Sequence, residues 1–237
     1  MKNTIKSLGL AAITIFAVSA NAAPITVNFE RITNNNVEDV ASQLQTNIYG
    51  QGDAFSTYGL TIGVDQALFT WTNTAVINSN ITEVFIDDGT IVGQSAVYDS
   101  LALTGVGYTE FNGDTVDGTT TNPGNLPGGS SISPAFVATS AYSADVANGN
   151  PIKGINSADD TLGIVYDMLL GIDMASVQTA LNDGTLRIGM HVRSIGTAGG
   201  SDSFVNVTTV PEPSSLALLA LGIIGVGFGR RRLAIRK

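Results

Sequence analysis

The chain is 237 residues long, with 20 Asp and Glu against 11 Lys and Arg, a single histidine and no cysteine, for a net charge of −9. Between Glu30 and Glu212 the imbalance deepens to twenty acidic against four basic side chains, a net −16, which repels nucleic acid and other polyanions. Without cysteine the chain has no disulfides, no lipid attachment at cysteine and no cysteine nucleophile, and with His191 alone it cannot build a zinc site of the ordinary Cys/His type.

Lys2 and Lys6 precede an apolar stretch from Leu8 to Val18, and Ala20-Asn21-Ala22 supplies an Ala-x-Ala cleavage site. This pattern predicts a signal peptide over residues 1–22, cut after Ala22 by signal peptidase. It leaves an exported domain over residues 23–209, a length that suits one domain or two small ones. Pro24 to Phe29 alternates with Ile25, Val27 and Phe29 on one face and reads as an opening strand. Asn35 or Asn36 is placed to cap a helix carrying Val37, Val40, Ala41, Leu44 and Ile48, ended by Gly50 and Gly52. Residues 59–64, 67–71, 81–86 and 94–104 are rich in β-branched and aromatic side chains and read as strands, with a hairpin turn at Asp87-Asp88-Gly89.

Residues 112–133 are nearly free of large apolar side chains and are predicted as a long loop, or as a subdomain boundary. Residues 135–143 and 162–170 read as further strands. Asp173 caps a short helix whose Met174, Val177 and Leu181 form an apolar stripe, and Gly184 ends it. From Leu186 to Arg193 apolar and polar residues alternate strictly, the clearest strand in the chain. The expected fold is mainly β. It is an antiparallel β-sandwich or jelly-roll-like domain with one or two short helices, flanked by the signal peptide and by a C-terminal hydrophobic sorting helix.

Arg187, His191 and Arg193 alternate on the polar face of that last strand and form the first candidate ligand-binding group, alongside the simpler reading that they pair with nearby carboxylates. Tyr108 and Phe111 flank the glycine-rich loop and are candidates for an exposed sugar-binding edge, whereas Phe69 and Trp71 share a face and read as core. Tyr98 and Tyr142 complete the aromatic candidates. Asp114 and Asp117 in NGDTVDG, residues 112–118, come closest to a Ca²⁺ loop but lack the dense ligand spacing and the closing glutamate. No Gly-x-Ser-x-Gly, phosphate-binding loop or dinucleotide fingerprint is present, and many carboxylates do not identify a glycosidase pair. No catalytic residue is expected.

The chain ends with Val210-Pro211-Glu212-Pro213, an uncharged apolar segment over 214–229 and a basic tail over 230–237 that opens with Arg230, Arg231 and Arg232. The three parts in this order resemble the PEP-CTERM sorting signal of Gram-negative bacteria. LRIGMHVRSIGTAGGSDSFVN, residues 186–206, also resembles a segment found before that signal. The resemblance implies that a membrane-embedded exosortase recognises the Pro-Glu-Pro block and processes the tail, and that the protein belongs with exopolysaccharide, biofilm or floc. The apolar segment is expected to form a transmembrane helix that anchors the protein in transit, before it reaches the cell surface or extracellular matrix. The expected function is a structural or weakly glycan-binding matrix component. The alternatives are a secreted polysaccharide-acting enzyme, and a purely structural module without a ligand.

Overall fold

The computed structural model describes residues 23–88, 91, 101–102, 111–113, 124–139, 143–146 and 150–208. Eleven strands form two antiparallel sheets among these residues. They are β1 (Ile25–Val27), β2 (Phe29–Arg31), β3 (Leu44–Tyr49), β4 (Gln66–Asn73), β5 (Asn80–Asp88), β6 (Leu101–Ala102), β7 (Phe111–Gly113), β8 (Ala144–Val146), β9 (Thr161–Asp167), β10 (Leu186–Ile195) and β11 (Gly200–Asn206). The five-stranded sheet has the order β1-β3-β4-β9-β6, and the six-stranded sheet β2-β11-β10-β5-β8-β7. Each sheet takes strands from before and after residues 112–133.

The two sheets share one core. Ile25, Ile48, Phe69, Trp71, Leu162, Ile164 and Tyr166 from the smaller sheet pack in the same buried cluster as Ile81, Val84, Ile86, Ile188, Met190, Val192 and Phe204 from the larger. Within it Phe69 stacks on Trp71 at 6.2 Å and meets Tyr166 edge-on at 5.0 Å, contacts worth about 0.5–1.5 kcal/mol each beyond the area they bury. The reading of Phe69 and Trp71 as core is therefore correct.

The opening strand has the expected inward face, with Ile25, Val27 and Phe29 all buried. It breaks at Asn28, and the two halves join different sheets: β1 pairs with β3, and β2 with β11. The helix expected after Asn35 does not form. Only one 3₁₀ turn, Ala41–Gln43, precedes β3, and Val37 is almost fully exposed. Leu44, Thr46 and Ile48 satisfy a period of two as well as a helical stripe, and the pairing of β3 with β1 and β4 decides for the strand. The helix lies instead where the glycines suggested an end: Gly50 is the N-cap of α1 (Gln51–Tyr58), and Gly59 closes it in the left-handed conformation.

Residues 59–63 are not a strand, and 135–139 run extended without pairing in a ladder. The predicted helix after Asp173 is present as α2 (Met174–Asp183), with Asp173 Oδ1 accepting from the Ser176 N–H at 2.8 Å and Gly184 left-handed at its end. Val177 and Leu181 bury the expected stripe.

One further expectation is overturned. The described residues form a mainly β domain with two helices and two antiparallel sheets, and none of their helices is the hydrophobic sorting helix that the expected fold included. Residues 209–237 lie outside the described residues, as do residues 1–22. Among the described residues no helix is long and apolar enough to cross a membrane. The transmembrane helix and the membrane anchoring in transit rested on the segment over 214–229 alone. Its sixteen uncharged residues fall short of the roughly 20 that span a hydrocarbon core.

With no disulfide, buried polar clusters hold the loops. The carboxylate of Asp202 on β11, 1% exposed, accepts from Thr33 Oγ1 at 2.7 Å, from the Asn35 N–H at 2.8 Å and from Asn36 Nδ2 at 2.9 Å, with Arg31 3.6 Å away. Arg31 in turn donates to the carbonyls of Asn36 and Glu38. The loop lies tight against the β10–β11 turn: a Cβ at Gly200 would collide with Asn36 Oδ1. Burial alone would raise the Asp202 carboxyl, but the three hydrogen bonds and the Arg31 charge outweigh it and hold its pKa below the ordinary value. The stability this adds is complete above the unfolded carboxyl value of about 3.9 and is lost as pH falls through the lower folded one. Asp202→Ala is expected to cost about 3 kcal/mol by leaving the buried Asn36 donor and two part-buried donors, Thr33 Oγ1 and the Asn35 N–H, unpaired. Chemical denaturation at pH 7 and at pH 3 checks this, with a smaller difference at the lower pH.

Candidate functional site

β10 is the centre of the site because it is buried on both faces. Leu186, Ile188, Met190 and Val192 point into the core. On the opposite face the segment 124–139 folds over the sheet, and Leu126 and Phe136 pack with Phe85 and Val205 as a second apolar cluster. Gly189 makes the fit: a Cβ there would stand 2.9 Å from Leu126 Cδ2 and 3.0 Å from Phe136 Cζ. Asn125 ties the segment's two ends together, donating to the Phe136 carbonyl and accepting from the Leu126 and Ala138 N–H groups. The second half of the predicted loop is thus a packed cover, and two apolar residues suffice because the sheet supplies the rest of the surface.

The three cationic candidates share this face as expected, but they have different surroundings. Arg187, 9% exposed, clamps the cover to the sheet. Its guanidinium pairs with Asp87, donates to the Pro134 carbonyl at 2.7 Å and to the Ala135 carbonyl at 2.5 Å, and lies 5.3 Å from the Phe136 ring centroid. Asp87 also accepts from the Val137 N–H at 3.0 Å. His191 Nδ1 lies 3.0 Å from Glu83 Oε2, its cross-strand neighbour on β5. Arg193, further along the strand and half-buried, has no hydrogen bond or ion pair to the described residues.

The row through His191 continues in both directions. Asp145 on β8 is opposite Glu83, and burial together with the Glu83 charge pushes its carboxyl above the ordinary value. Ser203 on β11 is opposite His191. Serine, histidine and glutamate therefore stand side by side, but the Ser203 hydroxyl is buried and bonded to nothing, while its backbone N–H is held by Thr33. As it stands this row is an internal ladder of cross-strand pairs and lacks the nucleophile–base hydrogen bond that catalysis by serine requires.

Tyr98, Tyr108, Tyr142, Asp114 and Asp117 lie outside the described residues. Phe111 opens β7, opposite Val146 of β8 at the far edge of the six-stranded sheet. No group of three or more His, Cys, Asp or Glu able to hold a metal occurs among the described residues. Asp88 Oδ1 accepts from the Ile91 N–H, and Asp160 Oδ2 from the Asn156 N–H, so both act in turns.

Sequence reading missed one place altogether: a groove between β1 and α2, beside the end of β11, lined by Ile25, Thr26, Val27, Asn28, Gln178, Leu181, Asn182, Asn206 and Val207. All its lining side chains are uncharged. The only signal available was the clustering of Asn, Gln and Thr near both ends of the domain, and those positions meet only after folding.

Arg187→Ala is expected to destabilise the domain by about 3 kcal/mol, since it leaves Asp87 and two carbonyls without their donor. It should also expose the bonds of segment 124–139 to protease, whereas Arg193→Ala should do neither. Asp145→Asn should raise the melting temperature at pH 7, because a carboxyl whose folded pKa is raised favours folding only while protonated. That gain should vanish below about pH 3.9, where the unfolded carboxyl is protonated too.

Residues 209–232 match the family described as the PEP-CTERM protein-sorting motif. No curated protein and no solved structure matches the chain. The chain is an exported protein that bears a PEP-CTERM sorting signal near its C-terminus, and that signal starts three residues after β11 ends.

Proposed function

We propose that the exported domain is a non-catalytic structural component of the cell surface or extracellular matrix, with weak affinity for neutral polysaccharide. The observation that carries this reading is the attachment of the sorting motif. The matched region opens at residue 209, three residues after a strand paired on both edges within the larger sheet, so no long linker separates the signal from the fold in the sequence. Exosortase and signal peptidase are the partners this reading assigns to the two ends.

The site chemistry agrees with it. Two of the three candidate side chains on β10 are taken up by internal pairs, Arg187 with Asp87 and His191 with Glu83, which suits a structural role. The net −16 between Glu30 and Glu212 disfavours anionic polymers through like-charge repulsion and leaves neutral ones as the fitting partners.

Deleting Pro211–Lys237 is expected to leave thermal unfolding unchanged and to shift the protein from the surface and matrix fraction into the medium. Equal distribution of the two forms would overturn the sorting part of the proposal. Co-sedimentation of the exported protein with the producing cell's extracellular polysaccharide tests the rest, and a protein left wholly in the supernatant would sink the glycan part.

A further inference from the structure

The groove between β1 and α2 has the makings of a ligand site. It encloses about 270 Å³, close to the lower end of the ~300–1,000 Å³ common for small-molecule pockets, which suits one sugar ring better than a long chain. Its polar residues are Asn28 at the break after β1, Gln178 and Asn182 from α2, and Asn206 from the end of β11, with Thr26 beside them, its hydroxyl donating to Asn47 Oδ1 at 2.9 Å. Gln178 Nε2 donates to Asn182 Oδ1 at 3.0 Å, so two of these groups are held in place before any ligand arrives.

Asn206 gives the independent observation. The residue is 2% exposed and its Oδ1 accepts from the Ile188 N–H at 2.7 Å, but its Nδ2 is buried without any acceptor. A buried amide donor left unpaired costs about 1–3 kcal/mol, and because Asn206 belongs to the groove's lining, a ligand oxygen that displaces the packing over Nδ2 would supply the missing acceptor. In a domain this acidic, a groove with no charged lining residue selects against ions of either sign, while the exposed Val207 offers an apolar patch to the C–H face of a ring.

We propose that this groove binds a single neutral, hydroxyl-rich sugar residue, with Asn206 and Gln178 supplying the hydrogen bonds that orient it. The proposal rests on the glycan-binding reading above and gives it a location distinct from the β10 face.

The test is calorimetric titration of the full exported chain with glucose, galactose, mannose and N-acetylglucosamine, with glucuronate as the charged control. Asn206→Asp keeps the acceptor for Ile188 and replaces the unpaired donor with an oxygen; Gln178→Glu places a charge in the groove from the partly exposed face of α2. Each is expected to weaken binding of the neutral sugar at least ten-fold, with glucuronate bound more weakly than its neutral relatives by the unaltered protein. Should Asn206→Asp unfold the domain, as circular dichroism would show, Gln178→Glu carries the test by itself. Neutral-sugar binding that survives Gln178→Glu within two-fold, or tighter binding of glucuronate, would overturn the groove while leaving the glycan reading intact. No binding of any neutral sugar overturns the groove as well, and the co-sedimentation result then decides whether the broader reading falls with it.

Discussion

Burial of β10 on both faces is the constraint on which the rest of the molecule depends. Its inward side chains meet the opposite sheet, and its outward face is closed by Leu126 and Phe136 over Gly189. A strand buried on both sides needs its backbone groups met on both edges, and β10 meets them with β5 on one edge and β11 on the other, where the Asn206 side chain takes the Ile188 N–H before that ladder begins. Arg187 then has a single role open to it. Set in the buried face at the rim of the cover, a guanidinium is tolerated only where its donors are met, and Asp87 with the Pro134 and Ala135 carbonyls meets them.

The same logic replaces the missing disulfides. Loops that a secreted domain often staples covalently are tied here by buried polar groups with several partners each. Asp202 gathers the 33–36 loop. At the turn between β4 and β5, Gln43 Nε2 donates to Asn73 Oδ1, the Ile77 carbonyl and Ser79 Oγ, while Asn73 Nδ2 reaches the carbonyls of Ser79 and Ile155. Such clusters specify one arrangement of the chain, because any alternative leaves several buried donors unmet at once.

Both ends of the domain emerge in the same neighbourhood. β2 pairs with β11, and the Val207 N–H donates to the Asn28 carbonyl at 2.9 Å, so the first and last described segments lie side by side. The fold is closed by its own ends, and the six-stranded sheet lacks its β2 edge until both have arrived. The groove with the amide lining sits at this junction, which explains why it contains residues from positions 25–28 and 206–207 together.

The sequence by itself determined the C-terminal sorting signal, the mainly β character, the Asp173 to Gly184 helix and the inward face of β10, because each is a local pattern whose period, cap or order can be read without knowing what lies opposite. It misjudged positions 37–48, where Leu44 and Ile48 fit a helical stripe and an alternating strand equally well, and only pairing with β1 and β4 selects the strand. It also identified Arg187, His191 and Arg193 as one face but could not tell which were free, since Asp87 and Glu83 lie about a hundred residues away along the chain. The cover over Gly189, the break that sends β1 and β2 to different sheets, and the groove at the chain ends were decided by tertiary structure alone. Each is formed by residues far apart in sequence, and the physical cause is that burial and hydrogen-bond partners are properties of the assembled sheets and not of any single segment.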